Sequence, residues 1–258
     1  MTIIAGLVPF ILLASFSHPS GDNYCYTNVF NDPDIDGVLE GVMDWYRRWN
    51  GRYFSLLLIG SYFVYFDMID TYRYVPYVLF LGWCFASYYL LRSIIGTSEK
   101  FVHAVGGALG LCTLYVLTMP LVSNGFYHVT GAFQYQTGNI LVMAAMACMI
   151  RIGSTRNPYP YVLVAALLIF AVVGSTELHM ALMVILVTTV TLYVLSTQNR
   201  NRHIWIFLLL VTLLSAAVLI LAPGNEGRGR HFAARHQLGF SVRESFEHLI
   251  IWSVEWFR

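Results

Sequence analysis

Apolar runs of a dozen residues or more recur along the whole chain, at approximately 3–16, 53–66, 75–91, 101–122, 139–150, 161–173, 178–196 and 204–222. A soluble domain buries such a run singly. A spaced series of them specifies a polytopic membrane protein, because inside a bilayer a helix satisfies every backbone polar group within its own segment. The mean hydropathy of +0.62 agrees. The expected fold is all-α: one integral membrane domain over 1–258, a transmembrane helical bundle of about seven or eight segments. Thr2 to Phe16 has no Lys or Arg before it and no small-residue cleavage pattern, so it reads as a retained membrane segment. Glu247 to Arg258 reads as the start of a further segment, and the expectation is a C-terminally truncated chain.

Fourteen Asp and Glu stand against fifteen Lys and Arg. With no basic excess, nucleic acid is excluded as an expected partner, and membrane lipids are the expected surroundings. The cations are almost all Arg, whose planar fork suits phosphate and carboxylate. Of the four cysteines, Cys84, Cys112 and Cys148 lie in apolar runs and Cys25 in a polar loop, so no disulfide framework is expected.

Short loops that carry cations, at 92–100 (Arg92, Lys100), 151–160 (Arg151, Arg156) and 197–203 (Arg200, Arg202), should face the cytoplasm; loops 123–138 and 174–177 carry none and should face outward. Eight full crossings counted from a cytoplasmic N-terminus give the opposite arrangement, with the charged loops outside. The expected pattern is restored if 53–66, only fourteen residues long and ending near Asp67 and Asp70, lies at the interface or re-enters rather than crossing. The acidic loop 17–52, loop 123–138, the 174–177 turn and the segment after 222 then share the outer face.

Polar constellations mark that face. Six of the fourteen acids fall between positions 22 and 44, with three of them in Asn31-Asp32-Pro33-Asp34-Ile35-Asp36-Gly37. This stretch fits the start of a calcium loop, with Asp32, Asp34 and Asp36 as oxygen ligands. The twelfth loop position is Met43 instead of Glu, so weak or no calcium binding is expected. It fits a helix start better: Asp32 as N-cap, Pro33 at the first position, and an amphipathic acidic helix over 35–49. Arg52 lies in an aromatic, basic belt at 45–53. Tyr127, His128, Gln134 and Tyr135 lie in an uncharged loop rich in rings and hydrogen-bonding groups, which suits a sugar. Glu177 and His179 interrupt a long apolar stretch, where ionisable groups are costly unless used or solvated. Asn225, Arg228 and Arg230 follow Pro223 in a glycine-rich turn that can bring backbone and guanidinium close to an anion.

The order of these elements resembles a known arrangement. The acidic cluster, Trp49-Asn50-Gly51-Arg52, Thr130-Gly131-Ala132-Phe133-Gln134-Tyr135, Gly174-Ser175-Thr176-Glu177 and Ala222-Pro223-Gly224-Asn225-Glu226-Gly227-Arg228 resemble a group of bacterial polytopic membrane proteins. That group is similar to the GT-C glycosyltransferases, which are longer chains. The resemblance implies an inverting transferase in the bacterial inner membrane that moves a sugar from a polyprenyl-phosphate carrier to a cell-surface glycan or lipid. It implies Asp34, with Asp32 and Asp36 beside it, as candidates for the catalytic base. Arg52, Arg228 and Arg230 are implied as phosphate ligands, and Tyr127, His128, Gln134 and Tyr135 as the sugar pocket. No cofactor is expected, although a divalent cation fits such chemistry. The competing expectations are a transporter or flippase of a lipid-linked glycan, and a non-catalytic membrane protein.

Overall fold

The computed structural model describes residues 2–96, 101–197 and 201–231. Lys100, Arg200, Arg235, His236 and the segment Glu247 to Arg258 lie outside the described residues. The chain is an all-helical membrane-type bundle with no strand among the described residues. In chain order the helices are α1 (Thr2–Ala14), α2 (Asp22–Phe30), α3 (Gly37–Arg48), α4 (Tyr53–Tyr65), α5 (Met68–Ile95) and α6 (Phe101–Thr118). They continue with α7 (Val129–Ser154), α8 (Tyr159–Val173), α9 (Glu177–Ser196), α10 (Arg202–Ile220) and α11 (Gly224–His231). Five of them, α5, α6, α7, α9 and α10, are long and apolar enough to cross a membrane; α4 and α8 are shorter apolar helices. The seven or eight spans expected from apolar runs thus include pieces shorter than a full crossing.

The helices bury one stripe each and leave the rest of their apolar surface outward, as a lipid solvent permits. On α6 the buried residues are Ala104, Ala108, Cys112 and Val116, four residues apart on one face. Their small size lets backbones approach closely, which is how helices gain contact where no hydrophobic force drives them together. The buried side chains form two groups. One gathers α2, α4 and α5 around Phe30, Leu56, Ile59 and Tyr72. The other gathers α7 to α10 around Ile152, Ile169, Met183 and Leu208.

α4 starts and finishes at the same end of the bundle. Its first turn is docked on the α8–α9 hairpin: the Phe54 N–H donates to the Gly174 carbonyl at 2.9 Å, and the Ser55 hydroxyl donates to the Ser175 carbonyl at 3.0 Å. The first of these bonds occupies a backbone donor of the kind that every helix start leaves without an intrahelical partner. Its last turn lies against the beginning of α7, where the Tyr62 and Phe133 ring centroids are 5.6 Å apart. The chain then passes Tyr72, whose hydroxyl accepts from the Val129 N–H at 3.1 Å and from Asn23 at 2.9 Å. At about 1.5 Å per residue, thirteen residues span about 20 Å, short of a hydrocarbon core of about 30 Å. Both ends of α4 thus pack at one end of the bundle, where parts of 17–52, 123–138 and 174–177 meet together with α11.

Scanning cysteine accessibility tests this arrangement. In a Cys25→Ser background, cysteines at exposed Ser20, Asp70 and Ser123 should label from one side of the membrane, and one at exposed Asn157 from the other. Labelling of Ser20→Cys together with Asn157→Cys, on the side opposite Asp70→Cys, would place α4 across the membrane instead.

Candidate functional site

The end of the bundle where these segments meet is organised around one guanidinium. Arg52 follows the last turn of α3 and directly precedes α4. Its Nε and Nη2 donate to Oε2 of Glu177 at 3.0 and 2.7 Å, and its Nη1 donates to Oε1 of Gln134 at 2.9 Å. The other carboxylate oxygen of Glu177, Oε1, accepts from Nη1 of Arg228 at 3.0 Å. Side-chain exposure falls from 45% at Glu177 and 32% at Arg228 to 11% at Arg52. Burial pulls the Arg52 guanidinium toward neutrality, but the bonds to Glu177 and its charge more than offset this and raise it above its ordinary value. Arg52 is thus a largely enclosed, charged cation with three of its donors assigned.

Local sequence chemistry places each partner. Glu177 opens α9, where Thr176 is the N-cap: its hydroxyl oxygen accepts from the His179 N–H. An acid in the first turn suits the positive end of the helix dipole. Gln134 sits in a π turn, Ala132–Gln136, at the start of α7. A π turn fits an extra residue into a helical turn and rotates what precedes it, and such turns favour functional sites. Here it sends Gln134 to Arg52, Phe133 to an apolar groove and Gln136 to the Tyr115 hydroxyl, which donates to it at 2.9 Å. The groove has a volume of about 310 Å³ and is lined by Tyr62, Phe66, Tyr74, Val78 and Phe133 among others.

Arg228 is delivered by a backbone joint. Oδ1 of Asn225 accepts the Gly51 N–H at 3.1 Å, while its Nδ2 donates to the Leu219 and Ile220 carbonyls at 2.7 and 3.1 Å. One amide side chain thereby closes the carbonyl end of α10 and ties it to the turn before α4. Gly51 and Gly224 make the contact possible. A Cβ on Gly51 would collide with the Leu219 carbonyl oxygen, and one on Gly224 with the Trp49 backbone nitrogen. The Tyr46 hydroxyl adds a bond to the Val218 carbonyl at 2.7 Å. The glycine-rich segment, expected as a turn, is the helix α11 laid directly on this joint; Arg230 pairs with Glu226 one turn away on its exposed side.

The structure thus brings together Arg52, Gln134, Glu177 and Arg228. Tyr135 is exposed and close enough to Arg52 to affect its charge. Asn225 spends its amide on backbone groups. Arg230 faces solvent, and the Tyr127 hydroxyl is committed to the Phe10 carbonyl at 2.6 Å. His128 turns to the Thr130 hydroxyl next door. Asp32, Asp34 and Asp36 are all exposed and stand at the opposite end of α3 from Arg52; α3 is twelve residues, about 18 Å, long. The helix starts at Gly37 rather than at Pro33. Asp36 occupies the N-cap position, and Glu40, four residues on, reaches back to accept the Asp36 N–H at 2.7 Å. Asp32 accepts the Asp34 N–H at 3.0 Å within the turn. The acidic stretch does local backbone work.

Sequence reasoning missed Tyr26, which lies in the polar stretch of α2. Gln134 Nε2 donates to its hydroxyl at 3.3 Å, and its ring stacks on Trp45 with centroids 4.6 Å apart. Burial, opposed by the charge of Arg52, holds the phenol above its ordinary value, so Tyr26 works as a neutral hydroxyl. Behind the cluster runs a buried chain of hydrogen bonds. The Thr176 hydroxyl meets His179 Nδ1 at 2.7 Å, His179 Nε2 meets Asn139 Oδ1 at 3.1 Å, and Asn139 Nδ2 donates to the Tyr115 hydroxyl at 3.0 Å. Gly138 leaves the room that the His179 ring fills. This chain fixes the start of α9, and with it Glu177.

No protein-family model, curated protein or solved structure matches this chain.

Two substitutions separate the joint from the acidic turn. Gly224→Ala should displace α11 and remove Arg228 from Glu177, readable as increased protease access to the segment after Ala222. Asp34→Asn should leave that segment protected and cost no more than a lost turn or cap contact, about 0.5–2 kcal/mol in thermal unfolding.

Proposed function

We propose that the protein is a membrane-embedded glycosyltransferase of the GT-C type, which moves a sugar from a lipid-phosphate carrier to a cell-surface acceptor at the outer face of a bacterial inner membrane. The supporting observation is the convergence of Arg52 and Arg228 on one point at the end of the bundle, with Glu177 between them and Gln134 on Arg52. An apolar groove opens one residue along the π turn.

The chemistry of transfer makes matching demands. As the glycosidic bond to the carrier breaks, negative charge collects on the departing phosphate. Fixed donors aimed at that charge lower the barrier most when they sit in a partly dry site and need no reorganisation. Arg52 is held rigidly by its partners and Arg228 is more open, so the pair offers one fixed fork and one adjustable fork to phosphate oxygens. Tyr26, Gln134 and the exposed Tyr135 supply hydroxyl, amide and ring surfaces of the kind a sugar needs. The groove beside Phe133 accepts part of an isoprenoid chain. A carboxylate must take the acceptor proton, and Glu177 is the one that stands in this cluster, whereas Asp34 lies at the far end of α3.

A transporter is less well supported. Charged residues in the five long helices lie within about two turns of an end, while ion-coupled carriers place theirs near mid-depth.

Arg228→Lys is the diagnostic substitution. It keeps the charge but loses the two-pronged geometry, and should weaken binding of a polyprenyl-phosphate sugar at least tenfold in detergent, with folding intact by thermal unfolding. A plain surface Arg would tolerate Lys within about 0.5 kcal/mol, so equal binding by the two proteins would remove Arg228 from the site.

A further inference from the structure

We infer that the Glu177 carboxylate is the resting occupant of an oxyanion seat, and that a phosphate group takes the seat by displacing it. This rests on the reading of the Arg52–Arg228 pair as a phosphate site and adds how that site is kept when empty of substrate.

The two arginines differ from the glutamate in how they are held. Arg52 is nearly enclosed, and its Nη1 is fixed by Gln134. Its own backbone N–H donates to Asn50 Oδ1 at 3.1 Å, so its place does not depend on Glu177 alone. Arg228 is anchored through the Asn225 joint. Glu177 is the most exposed member and the first residue of α9, so its side chain can swing outward without any change in the helix. Both of its oxygens lie on guanidinium nitrogens, at 2.7 and 3.0 Å. A carboxylate offers two oxygens in one plane; a phosphate offers more, spread tetrahedrally, and bridges two forks better. The seat also lies at the start of α9, whose amide groups favour an anion. With Glu177 in place the triad carries one net positive charge; with Glu177 displaced, two guanidiniums face the phosphate. The displaced carboxylate remains on the same helix start, freed from its ion pairs and able to accept a proton.

The same geometry predicts an unusual sign. Removing an acidic residue that only braces two arginines should loosen the site and weaken anion binding. Removing a competitor should strengthen it. Glu177→Gln keeps an oxygen that Arg52 can bond but takes away the competing charge. The expected result is about tenfold tighter binding, the size of one lost charge-assisted hydrogen bond.

The test measures binding of a polyprenyl monophosphate in detergent to wild type and Glu177→Gln, with inorganic phosphate and pyrophosphate as free-anion arms. Tightening for the lipid alone supports a seat for a lipid headgroup. Tightening for pyrophosphate as well supports a seat for phosphate from either source. Wild-type binding with equal or weaker binding by Glu177→Gln overturns the displacement and leaves the transferase reading intact. Absence of binding by both proteins in every arm overturns the two together. A wild-type measurement covers the case in which Glu177→Gln does not fold. Coupling of Glu177 to an amine by a water-soluble carbodiimide, read by mass spectrometry, should rise several-fold when polyprenyl monophosphate is added. Unchanged or reduced coupling overturns the displacement.

Discussion

A largely enclosed guanidinium sets the conditions that the rest of this end of the molecule meets. Arg52 has little solvent to satisfy it, and an enclosed cation without a partner is among the most costly features a fold can carry. Removing one partner of a buried pair costs about 3–5 kcal/mol, and less here because Glu177 is half open to water. The partners come from distant parts of the chain: Glu177 is 125 residues away and Gln134 is 82. Satisfying one side chain therefore obliges the start of α9 and the π turn of α7 to meet the start of α4. The hairpin carbonyls that accept from Phe54 and Ser55 enforce the same meeting through the backbone.

The joint at Asn225 is the second half of the arrangement. It uses no charge. Its specificity lies in two glycines that admit backbone contact and in one amide that both donates and accepts. Arg228 inherits its position from this joint, so the electrostatics of the cluster depend on the fit of uncharged atoms three residues away.

Much of the fold could be read from the sequence because bilayer physics leaves few choices. Apolar runs gave the helices, and the uneven placing of Arg singled out 53–66, which is one of the two shorter apolar helices. Arg52, Gln134, Glu177 and Arg228 were nominated because polar groups in such company are expensive. Which of them share a site was not legible, since that depends on the register of helices far apart in sequence. Asn225 was chosen as a ligand for the same polarity that makes it a brace. The acidic turn drew attention by its charge density, yet Glu40, rather than a further ligand, completes the cap at Asp36. Tyr26 went unseen because a nine-residue polar helix has no apolar stripe to mark it. The π turn went unseen because it leaves no compositional trace. The three glycines of 224–229 suggested a bend, and packing on the Trp49–Gly51 backbone makes them helical instead.

The shortness of α4 has a consequence for sidedness as a matter of parity. Between Arg52 and Glu177 the chain runs through the long apolar helices α5, α6 and α7 and the shorter apolar α8; taken as passes these are four, an even number, and α9 and α10 between Glu177 and Arg228 are two, again even. An even count returns the chain to the face it left. Were α4 two turns longer, it would approach the length of a full span and the first count would become odd. Arg52 would then stand in one aqueous compartment, with Glu177 and Arg228 in the other, and the cluster could not assemble whatever the remaining residues were. The packing of a thirteen-residue helix with its first turn on the Gly174 hairpin and its last turn on the start of α7, rather than any polar side chain, thus lets the three residues meet.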